Sequence, residues 1–163
     1  MKTLLRTLLY LSLIVWIGAE IFFPIVAAIT FNTLAPDKHT AGTIVGQLLR
    51  IMHGMGLVSA IVALAVLALA PAWRIYKPRA VLAPMVLLVL MIGGTVYSQY
   101  GIIPAMDRDL RAADGAIDTT DITNPTTVHF NKLHNRSVFV EETILLMGLA
   151  TVVLLAWAEG RNS

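Results

Sequence analysis

Residues 80–106, AVLAPMVLLVLMIGGTVYSQYGIIPAM, run for 27 positions without a charged side chain. A helix needs about 20 apolar residues to cross the hydrocarbon core of a bilayer, so this stretch predicts a transmembrane span over about 80–103 that stops before Pro104. Gly93 and Gly94 thin the span, and Tyr97 and Tyr100 mark its outer interface. Immediately upstream, Pro71, Trp73, Arg74, Lys77, Pro78 and Arg79 form a tight basic turn with an interfacial aromatic, the composition of a cytoplasmic loop.

Working outward, residues 43–72 predict a second span whose membrane part, Ile51–Ala72, is uncharged and has His53 as its main polar side chain. Gly42 and Gly46 give it a small-xxx-small spacing that suits close helix approach or self-association. Before it, Phe31–Thr40 holds Pro36, Asp37, Lys38 and His39 and reads as a short external loop. Leu8–Ile29 carries one charge, Glu20, and predicts a first span over about 8–30. Lys2 and Arg6 resemble a signal-peptide start, but the apolar run outlasts the roughly 7–15 residues of such signals, so the span is expected to be retained. Pro24 removes the helical partner of the Glu20 carbonyl, so a bend and a polar spot are expected together.

On the other side of the opening stretch, residues 104–127 read as an acidic external loop with room for a short surface helix, with Asp107, Asp109, Asp114, Asp118 and Asp121 against Arg108 and Arg111. Thr123, Asn124 and Pro125 carry the signature of a helix start. A fourth span follows over about 134–158, with Glu159 and Arg161 returning to the cytoplasmic side. The chain is 57% hydrophobic and only 13% charged, with a mean hydropathy of +0.76, far from a soluble composition. Its 163 residues therefore predict a single all-α domain, an integral membrane antiparallel four-helix bundle with both termini cytoplasmic, of the kind found in a bacterial inner membrane. A net charge of +2 gives no ground for nucleic-acid binding, and the absence of cysteine excludes disulfides and thiolate chemistry.

Charge inside lipid is costly and marks functional candidates. In FNKLHNRSVFVEE, residues 130–142, Phe130, His134, Ser137 and Glu141 share one helical face, with Glu142 on the adjoining stripe. On the second span Arg50 and His53 align, and the first span adds Glu20 beside Trp16. At about 1.5 Å of rise per residue all seven polar residues fall in the outer half of the membrane. One outward-opening cluster of Glu20, Arg50, His53, His134, Ser137, Glu141 and Glu142 is expected, with Arg50 as the cation for a glutamate.

The chain resembles the domain-of-unknown-function 4149 family of small four-span membrane proteins, related to transmembrane-protein-205-like proteins. The resemblance is carried by Trp16, Gly18 and Phe22; by Ala28, Phe31 and Leu34; by Ala41 and Gly42; by Pro104, Met106, Arg108 and Arg111; and by Phe130, Leu133, His134 and Ser137. It implies the four-span fold and no established reaction. Glu141 stands where the family pattern leads one to expect asparagine.

Three functional readings stay open. The first is a non-enzymatic protein in the lipid bilayer whose polar cluster binds a small ligand or ion, or which docks as an accessory subunit of a larger membrane complex or as a homo-oligomer. The second is a b-type haem protein with His53 and His134 as axial ligands. The third is a metal-binding or transport protein using His53, His134 and Glu141. No G-x-S-x-G, HExxH, phosphate-loop or dinucleotide fingerprint occurs, which turns the reading away from an enzyme.

Overall fold

The computed structural model describes residues 1–113, 117 and 123–160; Asp114, Asp118, Asp121 and Arg161 lie outside the described residues. Helix α1 spans Lys2–Thr33, α2 Lys38–Leu69, α3 Pro78–Tyr97, α4 Ile103–Ala112 and α5 Pro125–Gly160. A π-helical turn, Ser98–Ile102, joins α3 to α4, so Pro78–Ala112 forms one continuous helical rod. Four rods are long and apolar enough to cross a membrane. At 32 to 36 residues they are about 48–54 Å long, against roughly 30 Å of hydrocarbon.

Capping fixes where the helices begin. Asp37 accepts a hydrogen bond from the Thr40 amide at 3.0 Å and starts α2 after a short turn. Asn124 does the same for the Thr126 amide at 2.9 Å, and Pro125, which has no amide hydrogen to lose, opens α5. The short turns at 34–37 and 70–77 make α1, α2 and α3 alternate in direction, and α5 returns beside them. Helix α1 packs along α2 and α3 along α5, while α2–α3 and α1–α5 contacts close the ring.

Sequence predicts that the third span ends before Pro104; instead the helix continues to Ala112. An α-helical Pro104 would clash with the Tyr100 carbonyl four residues back. The π turn relieves this by taking in one extra residue, and the Ile103 amide reaches the Ser98 carbonyl five residues back. The short helix that the acidic stretch has room for is α4, continuous with the third rod and packed on α5.

Each long helix buries one stripe with alternating steps of three and four residues. On α1 it is Leu9, Leu13, Trp16 and Glu20, and on α2 His53, Gly56, Ala60, Ala63 and Leu67. Helix α3 buries Pro84, Leu88, Met91 and Thr95 and the stripe passes to Ser98, while α5 buries Ser137, Ile144, Gly148, Thr151 and Leu155. Such stripes interlock in a bundle core, leaving Ile14, Val58, Val89 and Leu146 to face lipid.

Small residues set the closest approaches within the chain, at positions other than Gly42 and Gly46. Gly42 meets only the Phe31 ring, at 4.0 Å, and Gly46 faces Arg50 of its own helix. The tight crossing lies lower, at Gly56, where a Cβ atom would come within 2.6 Å of Trp16 Nε1. Gly148 and Gly94 fit the same way against Ile17 and Ile144.

Two ends can be told apart. At the basal end Glu159 accepts a 2.7 Å hydrogen bond from the Tyr76 hydroxyl and pairs with Arg6 at 3.6 Å, tying the first and last helices to the 70–77 turn. Burial, then acceptance by Glu159, raises the Tyr76 hydroxyl above the ordinary phenol value. The distal end carries the 34–37 turn and α4, where His129 Nδ1 lies 2.7 Å from Asp109 Oδ2.

Candidate functional site

Where the four stripes reach the same level toward the distal end, their members change from apolar to polar: Glu20, His53, Ser98 and Glu141. From the basic Lys77–Arg79 turn, about 30 Å of helix rise reaches Tyr97–Tyr100, so this level lies just inside the distal boundary of the hydrocarbon. Exposed Arg136 donates to the Tyr97 hydroxyl at 3.1 Å, a pairing suited to that boundary.

His53 is the centre, with 1% of its surface exposed and both ring nitrogens engaged. Nδ1 lies 2.9 Å from Gln99 Oε1, an amide oxygen that can only accept, so Nδ1 carries a proton. Nε2 lies 3.0 Å from Glu141 Oε1, which also accepts from the Ser98 hydroxyl at 2.8 Å. One further proton belongs between His53 and Glu141, either on Nε2 as an imidazolium–carboxylate pair or on the carboxyl as a neutral pair. Glu141 Oε2 is buried and has no hydrogen-bond partner among the described residues. Glu20, 5% exposed, accepts from Trp16 Nε1 of its own helix at 3.3 Å and lies within electrostatic reach of both His53 and Glu141.

The predicted cluster is therefore partly assembled. Glu20, His53 and Glu141 come together, and Ser137 is buried on the same α5 stripe one turn above Glu141. Arg50 does not pair with a glutamate: it donates to the Gly46 carbonyl at 3.1 Å and forms a close ion pair with Asp107 of α4. The continuation of the third rod past Pro104 brings that aspartate within reach, while Glu141 is already engaged by His53.

Glu142, one position round the helix from the stripe, is exposed. His134 shares the stripe's face but lies two turns above Glu141, about 10 Å along the axis, and is exposed. His53 and His134 are thus not brought together as an axial pair, and the His53 nitrogens are taken by Gln99 and Glu141. Among the described residues no group of three or more His, Asp or Glu is arranged to hold a metal ion.

Sequence reasoning missed Ser98, Gln99 and Asp107. The first two sit in the uncharged 80–106 run, where absence of charge hides neutral hydrogen-bonding side chains, and the third was placed in a loop. Ser98 follows Met91 and Thr95 at steps of four and three, which is the signal that could have found it.

A family model described as a domain of unknown function, DUF4149, matches residues 11–110. The matched region takes in Glu20, Arg50, His53, Ser98, Gln99 and Asp107 and stops before α5 and Glu141. Searches of the curated proteins and of the solved structures returned no match. With well over half of its 163 residues matched, the chain belongs to the DUF4149 family.

Proposed function

We propose that this is a non-enzymatic integral membrane protein whose buried layer of His53, Glu141 and Glu20 binds and releases a proton, exchanging it with the aqueous phase at the distal end. The observation that carries the reading is the second oxygen of Glu141, buried and without a hydrogen-bond partner among the described residues. A carboxylate in an apolar bundle needs compensation on each oxygen, and here Oε1 has two neighbours while Oε2 has none among the described residues. The neutral carboxyl with its proton on Oε1 toward His53 is therefore the form that needs no partner on Oε2. His53 Nε2, 3.0 Å from Oε1, supplies the alternative residence, and Gln99 holds the imidazole in the required orientation. Glu20 brings a second carboxyl close enough for its charge to be felt by the pair.

The test is infrared difference spectroscopy of the protein in lipid nanodiscs during a pH titration. The wild type should gain a protonated-carboxyl band on acidification that shifts in heavy water. Glu141→Gln, with helix content checked by circular dichroism, should lose a component of that band. A pH-difference spectrum unchanged by Glu141→Gln would sink the reading.

A further inference from the structure

Arg50 and His53 lie three residues apart on one face of α2, which sets Arg50 about 4.5 Å nearer the distal end. Each is held by the rod that contains α3, the π turn and α4: His53 by Gln99, and Arg50 by Asp107. In an uninterrupted α-helix the eight steps from Gln99 to Asp107 would turn the two side chains about 80° apart. A π turn absorbs one residue, leaving seven effective steps and a separation of about 20°. Both side chains then face α2, so the π turn allows one helix to hold both partners at once.

Burial changes sharply between these two contacts. The Arg50 and Asp107 side chains are 35% and 38% exposed, whereas His53, about a turn below Arg50, is 1% exposed, Ser98, nine residues before Asp107, is 0% exposed, and the Glu141 side chain is 14% exposed. We propose that the Arg50–Asp107 pair is a cap that closes the buried layer to the distal aqueous phase, with the π turn as the hinge on which it opens. Return of Ser98–Ile102 to α geometry, which the clash of Pro104 with the Tyr100 carbonyl keeps rare in the wild type, would swing Asp107 about 100° away from Arg50 while Ser98 and Gln99 kept their places. This rests on reading the layer as an exchanging site, but its test does not require a proton to be bound.

The chain has no cysteine, so Ser98→Cys creates a single thiol beside Glu141. Its labelling by a membrane-impermeant cationic methanethiosulfonate, added to protein in nanodiscs, reports opening of the cap. Labelling should be slow in the otherwise wild-type protein and about fivefold faster with Asp107→Asn, the order of effect of losing a partly exposed ion pair. The charge swap Arg50→Asp with Asp107→Arg should restore slow labelling. Deletion of the exposed Tyr100 combined with Pro104→Ala, which removes both the extra residue and the clash, should label as fast as Asp107→Asn. Equal rates in the wild-type background and Asp107→Asn, whether fast or slow, would overturn the cap, and so would a swap that stays fast. If the deletion variant folds and labels slowly, the hinge is wrong. Gated labelling alongside a failed infrared titration would sink the proton site and leave the cap standing.

Discussion

Gly56 shows how closely one residue can control the site. A Cβ there would meet the Trp16 indole at 2.6 Å, and that indole is the hydrogen-bond donor to Glu20. Alanine gains about 1 kcal/mol over glycine in helix propensity, but overpacking a buried contact costs about 1–3 kcal/mol. Gly54, two residues away, has nothing within 4 Å of its Cβ position. Gly54→Ala should therefore stabilise the protein slightly, and Gly56→Ala should destabilise it by up to about 2 kcal/mol while shifting Trp16 fluorescence in a Trp73→Phe, Trp157→Phe background. Thermal midpoints that move in the same direction for both would contradict this packing. At this scale much of the site was legible: Glu20 and Glu141 stand out because charge is rare in such spans, and His53 because its span is otherwise apolar. Their partners were not, because Gln99 and Ser98 carry no charge and their roles depend on which helix lies opposite.

Among the elements, α2 owes its start to one side chain. The Thr40 hydroxyl and amide hold the Asp37 carboxyl below its usual 3.8. Because the folded value is the lower one, the stabilisation is fully present above about pH 3.8 and fades as pH falls through the folded value. Asp37→Asn keeps a capping oxygen without the titration. Its thermal midpoint should thus hold steadier than that of the wild type as pH drops through that window; parallel profiles would show that the cap makes no difference to acid stability. The helix start at Asn124 and the apolar lengths could be read directly from the sequence, whereas α2 begins at Lys38, inside the stretch 31–40 that reads as a loop, because the Asp37 cap acts that early. The end of the third span could not. Proline ordinarily closes a helix, and only the structure shows the alternative, a π turn that carries the rod past Pro104 and places Asp107 opposite Arg50.

For the whole molecule, Lys2, Arg6, Arg74, Lys77 and Arg79 gather at the basal end close to the limits of the spans. Distal cations such as Arg50 and Arg108 stand among Asp37, Asp107 and Asp109. We propose, from the positive-inside rule, that the basal end and both termini face the cytoplasm. Alkaline phosphatase fused after Ser163 should be inactive and a fluorescent protein there bright, whereas phosphatase inserted after Ala113 should be active. The reverse pattern would turn the buried layer toward the cytoplasm.

The layer also has a history within each round of synthesis. Its side chains come from positions 20, 53, 98 and 141, so they leave the ribosome far apart in time. Helix α1 leaves the ribosome first, carrying Glu20 before the span that bears Glu141 has been made. Of the contacts described in the layer, the Trp16–Glu20 hydrogen bond alone lies within a single helix, spanning four residues. The newborn first helix thus brings its own partner for the carboxyl, a tryptophan one turn behind it, and keeps that hydrogen bond in the assembled layer.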